Sequence, residues 1–336
     1  MPADPAGGAL GGAAPTVQVV IVAYKSGATL QRCVDSLERQ TFADFEVVVW
    51  DNGGGEAAMQ PLRAGPRLRT VVSDENLGFA AANNRAAALS RSRYIALLNP
   101  DAFAEPTWLA RLVEAAESSG AEAVASLQLD DGDPSLLDGA GDCMSIAGVP
   151  WRGGFGQPLS AAPAVRCEVF SACGAAALYR RDAFEGLGGF EERFFCYCED
   201  VDLGFRLRLS GGRCLLEPGA VVRHMGGASS GGRGSDFAEY HGTRNRLWTF
   251  LRNMPLWLMP IALPAHLLTV AYVLLRSPRL LRIRLSALGE AFRRPEMFRA
   301  APLSKRGSRV AVARSLSWSP VALSRRAVVT RPWRPC

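Results

Sequence analysis

The sequence predicts an α/β fold built on a central, mostly parallel sheet, followed by a basic, partly apolar helical extension. Three observations carry that reading. Val17 to Tyr24 is an almost unbroken β-branched run, the pattern of a strand covered on both faces. An amphipathic helix and a second apolar strand follow it, which is how a parallel sheet opens. Three of the strands then stop at polar residues, at Tyr24 with Lys25, at Asp51 and at Asp101, and in an open α/β sheet that carboxyl edge is where ligands sit.

Taken in order, Gly27 and Thr29 lead into a helix through about Gln40, with Leu30, Val34 and Leu37 on one face. Phe45 to Trp50 is the second strand, ending at Asp51, Asn52 and the glycines 53 to 55. A strand at Leu68 to Val72, a loop through Asn76 and Gly78, a helix from Phe79 to Ser90 and a strand from Tyr94 to Leu98 continue the alternation. Pro100 has no ladder donor and restricts Asn99, so the strand ends before Asp101. A helix from Pro106 to Ser119 and a strand at Ala123 to Leu129 precede residues 130 to 166, which lose periodicity and read as a long excursion over the ligand edge. The apolar run Cys167 to Tyr179 and the aromatic segment Phe190 to Tyr197 lead to Glu199, Asp200 and Asp202 at the start of a helix to Leu209. Short strands at Cys214 to Glu217 and Ala220 to His224, a Gly/Ser loop to Ser235 and a helix at Phe237 to Leu251 close the main domain. The expected division is a flexible N-terminus at 1–15, a main domain at 16–251 and an extension at 252–336, partly disordered at its end.

Composition narrows the class. The chain has 336 residues, 48% of them hydrophobic and 21% charged, enough for a substantial core. Its net charge of +6 is unevenly spread: residues 276–336 hold 15 Lys or Arg against 2 Asp or Glu, which leaves 23 basic and 30 acidic residues in the rest. A mildly acidic body is a poor match for wrapping nucleic acid. The eight cysteines form neither zinc-type paired clusters nor a short-chain disulfide framework, so they read as packed, reduced thiols. Residues 1 to 15 lack the basic and apolar regions of a signal peptide, so the expected location is cytoplasmic.

The chemical signal lies in three separated places: Asp51, Asp101, and the block Glu199-Asp200-Val201-Asp202 followed by His224. Carboxylates at parallel strand ends are well placed to hold a hard cation and a phosphate-bearing ligand. Each also has a plainer role. Asp51 suits an Asx turn, Asp101 a turn cap, and Glu199 and Asp202 solvated positions in a first helical turn. His224 fits a structural histidine, Asn76, Gly78 and Asn83 a turn and helix start, and Arg206 and Arg208 surface cations. Phe190, Phe194, Phe195 and Tyr197 read mainly as packing for the segment that positions Asp200, with one ring available to stack on a sugar. Arg244 and Arg246 either meet phosphate or solvent.

The segments IVAYKS, VVVWDNGG, ENLGFAAANN, YIALLNPD, GGFEERFFCYCEDVDLGFRLRLSG and VVRHMGGASS, in this order, closely resemble the family 2 glycosyltransferases of the GT-A fold, particularly the bacterial rhamnosyltransferase-like branch. The resemblance implies a nucleotide-diphosphate-sugar donor, Mg2+ or Mn2+, and inversion at the anomeric carbon. It implies that Asp101 holds the cation and diphosphate, and that His224, in the stretch His224 to Ser229, approaches both. Ala23, Tyr24 and Asp51 correspond to the nucleoside pocket, shaped further by Asn76, Gly78 and Asn83, with Arg244 as a candidate phosphate contact. In the Glu199-Asp200 pair, Asp200 corresponds to the catalytic base. Trp50 and the Gly53 to Gly55 turn depart from the family pattern, so the lean to dTDP-rhamnose leaves UDP-linked donors open.

Residues 255 to 275 are strongly apolar but carry Pro255, Pro260, Pro264 and His266, which favours an interfacial hairpin or membrane-resting segment over a span. Leu281, Leu285, Leu288 and Phe292 with the surrounding arginines form a basic amphipathic helix. The expected partners are a glycan or lipid-linked acceptor and an anionic membrane surface, with packing against a second copy as the alternative for the tail. A nucleotide-sugar hydrolase and a non-catalytic carbohydrate-binding protein are the competing classes.

Overall fold

The computed structural model describes residues 14–54, 62–63, 65–226, 234–299 and 307–333. The expected flexible N-terminus therefore lies outside the described residues up to position 13, as do Gly55 and the 227–229 end of the His224 motif.

In chain order, β1 (Val17–Ala23), α1 (Ala28–Glu38), β2 (Phe45–Asn52), β3 (Leu68–Ser73), α2 (Gly78–Ala87) and β4 (Tyr94–Leu98) form the first half. β1 pairs in parallel with β2 on one side and β4 on the other, and β2 pairs in parallel with β3. Every residue of β1 is buried, because the side chains of alternate positions enter two different cores. Val17, Val19 and Ile21 meet α1 through Leu30, Val34 and Leu37, whereas Val20 and Val22 meet the small α2 side chains Ala80, Ala82 and Ala86. Trp50 is accommodated in this second core beside Val22 and Val48.

The second half is mixed rather than mostly parallel. β5 (Ala102–Ala104), α3 (Trp108–Ser119) and β6 (Ala123–Asp130) lead into the 130–166 excursion, which folds as β7 (Leu137–Ala140), β8 (Asp142–Met144) and β9 (Pro150–Arg152). β10 (Cys167–Val169), β11 (Ala176–Arg180), α4 (Arg181–Gly186), α5 (Glu199–Ser210) and β12 (Cys214–His224) follow. β11 inserts antiparallel between β4 and β6, and β10 runs antiparallel to β12. The two short strands expected before His224 are one strand, β12, with a register shift between Glu217 and Val221. The irregularity falls at Pro218-Gly219, where proline lacks a ladder donor.

α6 (Asp236–Asn253), α7 (Met259–Arg276), α8 (Leu281–Arg293), α9 (Arg309–Ser315), α10 (Pro320–Ser324) and β13 (Arg331–Pro332) complete the chain. The expected interfacial hairpin is a single helix instead, long and apolar enough by length and composition to cross a membrane. Its prolines explain the difference: Pro260 sits in the first turn, where a missing N–H costs nothing, and Pro264 alone lies inside. The aperiodic end of the sequence contributes helices α9 and α10, and β13 pairs with β10 at the sheet edge. The extension is therefore welded to the main body. Trp248 of α6 is fully buried and donates its indole N–H to Ala291 O of α8 at 3.2 Å.

Candidate functional site

The carboxyl ends of β1, β2 and β4 open onto one cavity of about 1360 Å³, whose wall includes Tyr24, Asn52, Asn76, Asp101, Asp200 and His224. Asp101 and His224 are brought together by the sheet. β5 pairs antiparallel with the end of β12, placing Ala102 opposite His224. His224 Nε2 then lies 3.3 Å from Asp101 Oδ1, and its Nδ1 donates to Asp138 Oδ2 at 2.7 Å. With the proton on Nδ1, Nε2 is a lone pair facing a carboxylate lone pair, and two buried acceptors at that distance need a cation or a proton between them. Burial lowers the His224 pKa, but the Asp101 and Asp138 carboxylates outweigh it and hold it above the usual histidine value. An oxygen and an imidazole nitrogen fit a divalent cation such as Mn2+ or Mg2+.

Asp200 stands at the N-terminal turn of α5, where Gly174 N donates to its Oδ2 and Val201 N to its Oδ1, both at 2.8 Å. These bonds fix the carboxylate's orientation on the cavity wall. The turn leading into it is strained: Phe195, Tyr197 and Cys198 all have φ between 65° and 72°, which costs side-chain-bearing residues on the order of 1 kcal/mol each. One α6 side chain restrains all three. Asn245 Nδ2 donates to the carbonyls of Phe194 at 2.9 Å and of Cys196 and Tyr197 at 2.8 Å. Gly78, with φ of 80°, is required here because a Cβ would fall 2.5 Å from the Phe195 ring. Its close approach is thus to protein as well as to the cavity.

Other candidates separate. Asn52 and Asn76 line the cavity and hold each other, Asn52 Nδ2 donating to Asn76 Oδ1 at 2.9 Å. Asp51 is fully buried; its Oδ1 accepts from Gly54 N at 2.8 Å, and its Oδ2 has no partner among the described residues. An orphaned acceptor of that kind suits a ligand N–H or hydroxyl. Ala23 is buried in the core behind the wall. Asn83 turns inward, donating to Phe79 O within α2, so it shapes the helix rather than the cavity. Arg244 is also turned away: it donates to Phe194 O at 3.0 Å and stacks on Trp248, while Arg246, two residues further along α6, lines the cavity.

The acidic block is not solvated. Asp202 is fully buried and ion-paired to Arg206 at 2.8 Å and Arg252 at 3.0 Å, with Asn253 donating to it. Arg206 also donates to the Leu187 and Gly189 carbonyls, and Arg208 to Phe170 O, so neither is a surface cation. The reason is that α5 is covered on both sides, by the core and by α6, leaving no face for water. Glu199 is 5% exposed, and burial followed by the Asp200 charge raises its pKa well above its ordinary value.

Three contributors were invisible in the sequence because they lie in the aperiodic excursion. Asp138 of β7 fixes His224, Arg152 of β9 contacts Asp138, and Asp142 of β8 approaches Asp200 and Cys173, whose ligand atoms lie within 4.8 Å of one another. Burial pushes the Cys173 thiol up to about 12. Burial, then the Asp200 charge, raises Asp142 well above its ordinary value. A neutral thiol is a weak ligand, and the Arg152 guanidinium, held charged against burial by the carboxylates of Asp138, Asp142 and Asp200, already supplies positive charge there. The two carboxylates four residues apart in Leu137-Asp-Gly-Ala-Gly-Asp142 were the available signal.

Known proteins share this arrangement of chain. The curated N-acetylglucosaminyl-diphospho-decaprenol L-rhamnosyltransferase of Mycobacterium tuberculosis is 28% identical over 268 residues, covering 72% of this chain and 87% of the relative. The O-antigen biosynthesis protein RfbC of Myxococcus xanthus is 31% identical over 227 residues, 64% of this chain but 18% of that protein. Among solved structures, the mannosyltransferase PcManGT from Pyrobaculum calidifontis, in complex with GDP-Man and Mn2+, superposes with a TM-score of 0.52 at 19% identity, covering 89% of this chain and 78% of the other. GalNAc-T7 with UDP, GalNAc and Mn2+ gives a TM-score of 0.56 at 16% identity, covering 71% of this chain and 48% of that one. These similarities establish a GT-A-like fold. Residues 18–188 match the profile of Glycosyl transferase family 2, just over half of the sequence, and the chain belongs to that family.

Proposed function

We propose that the protein is an inverting glycosyltransferase that moves a sugar, rhamnose from dTDP-rhamnose, from a nucleotide diphosphate to a lipid-linked or cell-envelope glycan. The observation that carries this reading is that Asp101, His224 and Asp200, contributed by three distant segments, line one cavity. The rhamnose and lipid assignments draw on the mycobacterial relative, whose name specifies a rhamnosyl transfer to a diphospho-decaprenol-linked sugar.

In this reading Asp101 and His224 Nε2 hold Mn2+ or Mg2+, which when bound neutralises the donor diphosphate. Asn52 and Asn76 border the nucleoside, and the free oxygen of Asp51 accepts a hydrogen bond from it. Asp200 takes the proton from the acceptor hydroxyl as that oxygen forms its bond to the anomeric carbon. The bond from that carbon to the diphosphate breaks on the opposite face, and its electron pair leaves with the diphosphate. Asp138 keeps the His224 ring oriented, and the Asn245 clamp keeps Asp200 placed.

A donor panel tests the assignment. The full chain would be incubated with dTDP-rhamnose and UDP-sugars, Mn2+ and membrane lipid extract, following the nucleoside diphosphate released. Release that requires the lipid extract and is greatest with dTDP-rhamnose is expected. Release at the same rate without any acceptor would instead identify a nucleotide-sugar hydrolase.

A further inference from the structure

The apolar helix α7 does two things at once. It exposes a row of large apolar side chains, with Leu268 73% and Leu275 80% exposed, and it also forms part of the catalytic cavity's wall through Leu268, Thr269, Tyr272 and Val273. An anchor for a membrane has no need to border the reacting site. The outer apolar face and the cavity are therefore continuous along one helix.

Two arginines stand where that helix meets the cavity. Arg246 of α6 lines the cavity and, together with Thr269 and Val273 of α7, a small adjoining pocket. Its Nε is buried without a partner among the described residues. Arg276 ends α7, lines the same cavity and donates to Tyr272 Oη at 3.0 Å. Among the described buried arginines, Arg206 is matched by Asp202, Arg208 by Glu168 and Arg284 by Glu239, while Arg244 is held by the Phe194 carbonyl and the Trp248 ring. Arg246 and Arg276 face no carboxylate among the described residues. Arg246 is half-buried and Arg276 is exposed at the end of its helix, and guanidinium groups bordering a cavity without a counter-charge favour an anionic ligand, most strongly one that offers paired phosphate oxygens.

We propose that this stretch of the cavity, between Arg246 and Arg276, seats the diphosphate of a polyprenyl-diphosphate acceptor, and that its polyprenyl chain lies along the exposed face of α7. The assignment rests on the glycosyltransferase reading above and specifies its acceptor. The ordinary anionic lipids of a bilayer meet a different set of charges. Arg279, Arg282 and Arg293 are exposed on the α8 side and do not line the cavity. One arginine pair thus serves a ligand that enters the site, and the other cations serve the surface on which it arrives.

The test uses the full chain and three probes: phosphatidylcholine vesicles doped with undecaprenyl diphosphate, phosphatidylcholine vesicles doped with phosphatidylglycerol, and inorganic diphosphate as a soluble competitor. Arg246→Gln and Arg276→Gln are each expected to weaken binding to the polyprenyl diphosphate vesicles about tenfold, with phosphatidylglycerol vesicles little affected. Arg282→Gln should show the reverse preference. Inorganic diphosphate, lacking a chain, should compete only weakly. Wild-type affinity for undecaprenyl diphosphate in both arginine variants overturns the proposal, as does an equal loss on both kinds of vesicle or full competition by inorganic diphosphate. Thermal unfolding checks each variant, and Arg276→Gln, at the open end of its helix, decides the matter if Arg246→Gln fails to fold. Titration of the same proteins with dTDP and UDP in the presence of Mn2+ separates the two readings. Loss of nucleotide binding by Arg246→Gln and Arg276→Gln would assign the arginines to the donor and overturn the proposal, whereas failure of the wild-type protein to bind either nucleotide would sink the glycosyltransferase reading instead.

Discussion

His224 Nδ1 donates to Asp138 Oδ2 at 2.7 Å, and the ring nitrogen on the other side faces Asp101 Oδ1 at 3.3 Å. A histidine held in this way presents a lone pair at Nε2 whose direction is set by a carboxylate that never touches the ligand. Asp138→Asn is therefore expected to weaken Mn2+-dependent nucleotide binding on the order of tenfold to a hundredfold, and Asp101→Ala or His224→Ala at least as much. Calorimetric titration with dTDP or UDP, with and without Mn2+, measures it. Unchanged Mn2+ dependence in Asp101→Ala and His224→Ala would remove the metal from this pair.

Asp200→Asn should abolish sugar transfer while leaving nucleotide binding intact. The amide keeps the shape of the side chain but loses the charge that accepts the acceptor's proton, a change typically costing about 10² to 10⁴ in rate. Transfer by the variant at close to the wild-type rate would require a different base.

Asn245 donates to three carbonyls of the strained turn before Asp200. Asn245→Ala leaves those carbonyls without the clamp and is expected to lower stability by about 2 kcal/mol. Turnover should fall further than nucleotide affinity, because the turn places Asp200 rather than the donor. Equal losses in both quantities, or none in either, would count against this positioning role.

Glu191 offers a pH test of the same region. Its carboxyl is held down to about 2: burial opposes the shift, and Arg193 and Arg252 overcome it. A carboxylate depressed when folded contributes stability that is complete above its unfolded pKa near 4.5 and is lost as pH falls toward about 2. Glu191→Gln should therefore lower the thermal midpoint at pH 7 and flatten the acid limb of the stability curve between pH 4.5 and 2. The size expected at neutral pH is about 1 to 2 kcal/mol, since the partner Arg193 is partly in solvent. An acid limb unchanged by the substitution would show that the pairing adds nothing.

Membrane attachment is expected to follow the exposed face of α7. The tail cannot simply be cut away, because Trp248 packs against α8 and β13 closes the sheet edge. The informative change is Leu267→Ser with Leu275→Ser, both at exposed positions. The double variant should lose flotation with phosphatidylglycerol vesicles yet unfold at the wild-type temperature, as little apolar surface is buried there in the folded chain. High salt should weaken wild-type flotation without abolishing it, since screening acts on the arginines alone. Full flotation by the variant would turn attention to an interface between two copies.

The sequence alone determined the α/β alternation, the strand ends at Asp51 and Asp101, and the helix start at Asp200, because these follow from local period, proline placement and polar strand termini. It also carried the family resemblance. What only the tertiary structure decided was which of those side chains meet. Asp101 and His224 are 123 positions apart and come together because β5 pairs with the end of β12. Arg206, Arg208 and Asp202 looked solvent-facing, since a charged helix reads as a surface, but α6 covers α5 and converts them into a buried ion-pair network. Arg244 and Arg246 are indistinguishable by composition; the helical turn of about 100° per residue sends one into Trp248 and the other to the cavity. Asp138, Asp142 and Arg152 stayed hidden for the opposite reason. Their segment has no period to read, and its strands are set by pairing with β6 and with each other, a long-range choice that no local pattern encodes.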